Sequence, residues 1–297
     1  MRRSPSAPFV AAILLLALVA LALYLWRRTP ESPAPANPSA TPAASTLRLA
    51  FWNIRDLSTK SRDAAERALI CDVVGDFDVV AICEVNDGEI LPALVAVLDG
   101  RGHRWGSVTS AKVGNTPASA ERYGLLYRDD ELDVVWSRQL PEVTTEAGIP
   151  FDREPFVVGL KTEDGGFDFA VMIVHITWGK RAAPRIAEVK ALARYYREIA
   201  ATEPDIVLAG DFNRNADDER SVRWLAGELG VISTTDPAVP TVITGTSTYD
   251  QIMLRPALFA GNHGVIEFDD TVFSGDDGRA RVAASDHRPI WAQVRVR

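Results

Sequence analysis

The chain has 297 residues, 47% of them hydrophobic and 24% charged, a composition that excludes a disordered tail, a collagen-like fibre and a polytopic membrane protein. Its two cysteines, Cys71 and Cys83, exclude a disulfide-dense scaffold and a four-cysteine zinc site. The formal charge is −8, but four arginines and a single acid precede residue 47, so the remainder carries 28 basic and 39 acidic residues, a net −11. Such a unit has no broad attraction for DNA or anionic lipid, and any polyanion must be met by local cations.

The first element in chain order is an apolar run of eighteen residues, Phe9 to Trp26, flanked by Arg2-Arg3 and Arg27-Arg28. It is long enough to span a bilayer as a helix and longer than the usual core of a cleavable signal. Residues 1–28 are therefore expected to be a signal anchor, with the C-terminal part outside the cytoplasm, periplasmic or extracellular. Cleavage near Ala34-Pro35-Ala36 would make it a secreted protein. Residues 29–46 are Pro, Ala, Ser and Thr with a single charge, a composition that reads as an extended spacer. Residues 47–297 are expected to form the folded domain, as a monomer.

Within that domain, short apolar runs end on polar residues. Leu47–Trp52 ends in Asn53, Val79–Cys83 in Glu84, Phe169–Val174 in His175 and Ile206–Gly210 in Asp211. Each is rich in β-formers and too continuous to alternate, so each predicts a strand covered on both faces. A second group mirrors the first. Glu121-Arg122 precedes Tyr123–Tyr127, Arg153-Glu154 precedes Pro155–Leu160, Asp250 precedes Ile252–Leu254, and Asp286-His287 precedes Pro289–Val294. If the second group runs antiparallel to the first, all eight polar clusters meet at one edge. Ordinary solvated strand ends would show Lys, Ser and Thr as often as these acids, amides and imidazoles.

Helices are expected over Arg62 to Val74 with Ser61 as N-cap, from about Pro184 to Ala200, and over Asp217 to Glu228. Together these elements predict a layered α/β sandwich of mixed, largely antiparallel sheets with helices on the outer faces.

The convergent set is Asn53, Glu84, Glu121, Arg153, His175, Asp211, Asn213, Asp250, Asp286 and His287. It offers no serine or cysteine nucleophile, and Cys83 reads as a buried small hydrophobe. Oxygen ligands without cysteine suit a hard cation, Mg²⁺ with Mn²⁺ or Ca²⁺ as alternatives. Each histidine has an acidic candidate partner that can fix its tautomer. A metal, two oriented histidines, an arginine and amide donors are what hydrolysis of a phosphate ester requires. His103 and His263 fit nothing in this set and read as surface residues.

The motifs Phe-Trp-Asn-Ile-Arg (51–55), Ile-Cys-Glu-Val (82–85), Glu-Arg-Tyr (121–123), Arg-Glu-Pro (153–155), Val-His (174–175), Gly-Asp-Phe-Asn (210–213), Thr-Tyr-Asp-Gln-Ile (248–252) and Ser-Asp-His-Arg-Pro (285–289) occur in that order. In this the chain resembles the endonuclease/exonuclease/phosphatase superfamily and, within it, the deoxyribonuclease I branch. The resemblance implies a four-layer α/β sandwich of two mixed sheets flanked by helices, and metal-dependent phosphodiester hydrolysis with DNA as substrate. It implies Glu84 as principal metal ligand with Asn53 beside it, and Asp286 with Asp211 at a second metal position. It further implies His287, oriented by Asp250, as the base, and His175, oriented by Glu121, as its partner across the scissile phosphate. Asn213 would donate to the phosphate and Arg153 would bind it bidentately.

Two positions depart from that branch: Ser119 stands where it has a tyrosine near the DNA, and Asn86 where an arginine enters the minor groove. Duplex contact is therefore expected to be weaker than in that branch. Further candidate contacts are Arg55, Lys60, Lys180, Arg181 and Arg185, while Arg214 and Arg288 read more readily as solvated surface charge than as contacts. Trp178 reads equally as a stacking platform or as a lid on the core. Two alternatives stay open: the same chemistry on lipid headgroups, as in sphingomyelinase-like or inositol-phosphatase-like relatives, or a non-catalytic binding module that keeps the fold.

Overall fold

The computed structural model describes residues 45–146 and 148–296. The expected anchor over 1–28 and all but the last two residues of the expected spacer lie outside the described residues. Among the described residues, no helix is long and apolar enough to cross a membrane.

The strands are, in chain order, β1 (Thr46–Leu57), β2 (Val79–Val85), β3 (Trp105–Thr109), β4 (Arg122–Arg128), β5 (Leu132–Gln139) and β6 (Phe156–Thr162). They continue as β7 (Asp168–His175), β8 (Ile206–Asp211), β9 (Ile232–Ser233), β10 (Asp250–Leu254), β11 (Phe259–Val265) and β12 (Ile290–Arg295). One sheet has the order β11-β12-β1-β2-β4-β3 and the other β5-β6-β7-β8-β10-β9. The pairs β1/β2 and β7/β8 are parallel, and the remaining pairings are antiparallel. The two predicted strand groups therefore run in opposite senses within each sheet, as their mirrored polar ends require.

Strand alternation explains why the runs are apolar throughout. Leu49, Phe51, Val79 and Ala81 of the first sheet meet Val171, Ile173, Val207 and Ala209 of the second in the central core. Their chain neighbours Ala50, Trp52, Val80 and Ile82 face the helices α1 (Ala64–Val74) and α2 (Ile90–Leu98). Met172, Val174 and Leu208 face α3 (Ala182–Ala200) and α4 (Val222–Leu229). The order helix, sheet, sheet, helix gives four layers. Two short helices, α5 (Phe268–Thr271) and α6 (Asp277–Ala283), complete the cover of the first sheet.

Three helix expectations need correction. Helix α1 is capped by Asp63, not Ser61: the Asp63 carboxylate accepts from Ala65 and Glu66 N–H, and Glu66 accepts in return from Asp63 N–H. This reciprocal box satisfies more orphan donors than a lone serine. Ser61 instead closes a turn with Ser58. Helix α4 starts at Val222, because Asp218 draws the N–H groups of Ser221 and Arg223 into a turn first. Helix α2 was not foreseen; a run such as Ile-Leu-Pro-Ala-Leu-Val-Ala-Val-Leu has no polar face to mark its period.

Candidate active site

Two rows of the second sheet set the frame. His175 lies opposite Asp211 in the β7/β8 register, and Asp250 lies opposite Asp211 in the β10/β8 register. Gly210 allows this closeness, since a Cβ there would come within 2.2 Å of the Val174 carbonyl oxygen. In the first sheet, Glu84 falls where the β2/β4 register shifts, with φ +61°. A bulge of this kind re-aims a side chain. The Glu84 carboxylate turns to Asn53 Nδ2 (2.9 Å) and Asp56 N–H (3.2 Å), while its own N–H donates to Glu121 Oε1 (3.1 Å).

From there the contacts run on without a gap. The Glu121 carboxylate forms an ion pair with Arg153, Nε lying at 3.0 Å, and pairs with His175 Nδ1 (2.9 Å). His175 Nε2 stands 3.6 Å from Asp211 Oδ2, and His287 Nε2 stands 3.7 Å from the same oxygen on the other side. His287 Nδ1 is held by Asp250 (2.9 Å), whose carboxylate also accepts from the Thr241 hydroxyl (2.5 Å). Asn53 Nδ2 closes the path on Asp211 (3.1 Å), and Asn213 N–H donates to Asp211 Oδ1 (2.8 Å). Nine of the ten predicted residues thus form one connected group spanning both sheets.

Charge follows from this geometry. Burial opposes protonation of His287, but Asp250 first and then Asp211 outweigh it and push its pKa up to about 10. Burial likewise opposes protonation of His175, and Glu121 outweighs burial and the nearby Arg153 to raise its pKa. Burial pushes Asp211 up, yet the two imidazoles bring it below the ordinary carboxylate range. The Asp250 carboxylate is the largest force raising His287, so Asp250→Asn should lower the His287 pKa well below about 10 in metal-free protein. Imidazole NMR titration reads this directly, and an unmoved midpoint would disprove the pairing.

The comparisons with known proteins agree with the motif order. Residues 50–287 match the model of the Endonuclease/Exonuclease/phosphatase family. The chain belongs to this family. It is an enzyme of the hydrolase class that the family comprises. A Thioalkalivibrio deoxyribonuclease is 29% identical over 276 residues, covering 86% of this chain and 72% of that protein. The deoxyribonuclease-1 of Canis lupus familiaris is 30% identical over 272 residues, covering 83% of this chain and 91% of that one. In fold, the chain is similar to the human Nocturnin catalytic domain solved with a sulfate anion, at TM-score 0.61 and 14% identity, covering 85% and 95% of the two chains.

Against the family pattern, Arg153 and Asp286 stand differently from expectation. Arg153 is 7% exposed and largely committed: Nε serves Glu121 and the Ser119 carbonyl (2.9 Å) and Nη1 the His175 carbonyl (3.4 Å), so its full fork is not free although it lines the adjoining recess. Asp286 is the residue left out of the connected group; its carboxylate faces Arg281 at 3.9 Å, and it does not join the cluster of Asp211, Asp250 and His287 ligand atoms. With His287 turned inward, the adjacent side chain turns out. Arg288 is committed to Asp269 and so is not a substrate contact. Asn213 donates one amide hydrogen to the Ile176 carbonyl (2.8 Å) and retains the other. His263 is exposed and His103 pairs with Asp130, both away from this group. Cys71 and Cys83 are free and buried, and burial holds both thiols protonated.

Four supporting residues were not singled out from the sequence. Thr241 braces Asp250. Ser285 donates to the Asn53 carbonyl (2.6 Å) and accepts from His287 N–H (3.1 Å). The Tyr123 hydroxyl donates to the Arg153 carbonyl and accepts from His175 N–H, both at 3.1 Å. Glu188 on α3 accepts from the N–H groups of Asp152 (2.9 Å) and Thr177 (2.7 Å), tying together the loops beside Arg153 and His175. Only Ser285 and Tyr123 lie inside the recognised motifs; Thr241 and Glu188 carry no local signal.

Burial raises the Glu188 pKa from 4.5 to about 7 despite its two N–H partners. A raised carboxyl stabilises the fold fully below the unfolded value, and that stability is lost as pH rises to the folded value. The loss amounts to roughly 3 kcal/mol above neutrality. The stability of Glu188→Gln relative to the native protein should therefore improve between about pH 5 and pH 8 by up to that amount. Urea unfolding at both pH values measures it; a constant difference would show that the group titrates as a solvated acid.

Proposed function

We propose that the protein is a metal-dependent phosphodiesterase, a deoxyribonuclease I-like endonuclease acting on DNA. The observation that carries this reading is the pair of carboxylate-backed imidazoles whose Nε2 atoms address one Asp211 oxygen from two sides, at 3.6 and 3.7 Å. In-line displacement at a phosphodiester needs a proton taken from water on one face and delivered to the leaving oxygen on the other. His287 has the first role, its Nδ1 proton fixed on Asp250. His175, whose proton affinity Glu121 raises, has the second or holds a phosphate oxygen. The spare amide hydrogen of Asn213 donates to the phosphate.

The donors for a divalent cation also fit. Asn53 Oδ1 is buried with no hydrogen-bond partner, while its Nδ2 is spent on Glu84 and Asp211. Asn53, Glu84 and Asp211 thus form an oxygen-only set suited to Mg²⁺ or Mn²⁺. A bound dication would supply counter-charge for the phosphate and for Asp211, one of the two carboxylates that most raise the His287 pKa. DNA is favoured as substrate because the relatives that align over most of their length are deoxyribonucleases. The reading extends to a monomer tethered by Phe9–Trp26 with its catalytic unit outside the cytoplasm, for which the support is the apolar run itself.

The test is incubation of the purified protein with supercoiled plasmid and Mg²⁺ or Mn²⁺. Nicking that a chelator abolishes supports the proposal. An intact plasmid, with release of phosphocholine or phosphate from lipid vesicles, would transfer the same chemistry to headgroups. Inertness towards both would leave a binding module.

A further inference from the structure

Trp178, three residues beyond His175, is 72% exposed and so does not cap the core. It lines a cavity of about 440 Å³ together with Ser119, Ile149, Arg153, Thr177 and Glu188. Ile149 is also half-exposed, leaving two apolar side chains in water beside one recess. An indole kept in solvent gains nothing for stability, since its apolar area is not removed from water.

The recess adjoins the catalytic group through shared residues. Arg153 lines it and also grips Glu121, and Thr177 follows His175 by two positions. Ser119 leaves room there: its small side chain bonds Asp152 (2.9 Å), where a larger one would reach into the recess. Lys180 and Arg181 are exposed just beyond Trp178, and half-buried Arg185 follows them at the start of α3. In a unit of net −11, this is a local run of positive charge at the edge that carries His175.

An aromatic plane with an apolar neighbour recognises the face of a planar ring, and adjacent cations recognise phosphates. A nucleotide carries both. Within a duplex, however, both faces of each base are covered by stacked neighbours, so an indole reaches only a base that has left the stack. We infer that the Trp178 recess seats an unstacked nucleobase next to the scissile phosphate, so that the enzyme favours single-stranded or frayed polynucleotide over intact duplex. This rests on the phosphodiesterase reading and names the form of its substrate.

The experiment compares native protein with Trp178→Ala and Trp178→Phe, on a single-stranded oligonucleotide, its duplex and an abasic strand of equal length. Loss of one stacked base predicts a fall in kcat/KM of about 5- to 100-fold for Trp178→Ala on the single strand. The penalty should be smaller on the duplex and shrink towards parity on the abasic strand, and Trp178→Phe should recover most of it. An unchanged single-strand rate, or equal losses on all three substrates, overturns the seat. Fluorescence anisotropy of a labelled single strand, with metal removed by chelator, separates this from failure of the catalytic reading. Weaker binding by Trp178→Ala supports the seat even if no strand is cut. Equal oligonucleotide binding by both proteins, with only Trp178→Ala losing affinity for phosphatidylcholine vesicles, overturns it in favour of a lipid contact.

Discussion

Alanine at His287 should cut phosphodiester turnover by about 10²- to 10⁴-fold, the contribution of one positioned general base. The effect is expected in kcat more than in KM, because the imidazole acts on the attacking water and not on the bound backbone. The variant also leaves Asp250, which is fully buried, with Thr241 as its remaining side-chain partner. That costs stability, by about 1–3 kcal/mol for an unsatisfied buried acceptor. His287→Asn keeps a donor for Asp250 and so separates lost chemistry from lost folding. Turnover is measured by plasmid nicking at saturating metal, and folding by thermal melting. A well-folded His287→Asn protein at native rate would remove His287 from the reaction. His175→Ala should be impaired to a similar degree through loss of its proton at the leaving oxygen.

Glu84→Ala carries the second large effect. Losing the carboxylate takes a charged oxygen from the cation donors, leaves Asn53 Nδ2 with Asp211 as its acceptor and removes the acceptor of Asp56 N–H. Charge stabilisation by a bound cation is worth several kcal/mol, so turnover should fall about 10³-fold or more. Glu84→Gln retains the shape at this left-handed position and removes the charge alone; it should bind Mn²⁺ more weakly by calorimetric titration. Chelation should abolish native activity, and excess Mg²⁺ should restore it. Native-like turnover by Glu84→Gln at the same metal concentration would contradict the ligand role.

The strand ends were legible because burial on both faces leaves an unmistakable apolar run, and the polar residue that stops it stands out. Asn53, Glu84, His175 and Asp211 were found in this way, and their partners Glu121 and Asp250 by the mirrored pattern. Arg153 shows the limit. An arginine in a phosphate-processing site suggests a phosphate contact by residue type, but how much of its fork is already committed depends on the loop before β6 and on the ties made by Tyr123 and Glu188. Asp286 and His287 are neighbours in sequence, yet one faces Arg281 and the other Asp250, a division set by the local backbone.

The sequence by itself determined the eight strands that carry the polar clusters and the chemical inventory of the edge, because these follow from hydrophobic periodicity and residue type, both local properties; β3, β5, β9 and β11 and the senses of the strands came only with the sheets. The tertiary structure decided that Arg153 braces Glu121, that Asp286 turns to Arg281, and that Trp178 stands in solvent. Those outcomes depend on contacts between residues tens to hundreds of positions apart. Their geometry is fixed only when both sheets close on one core.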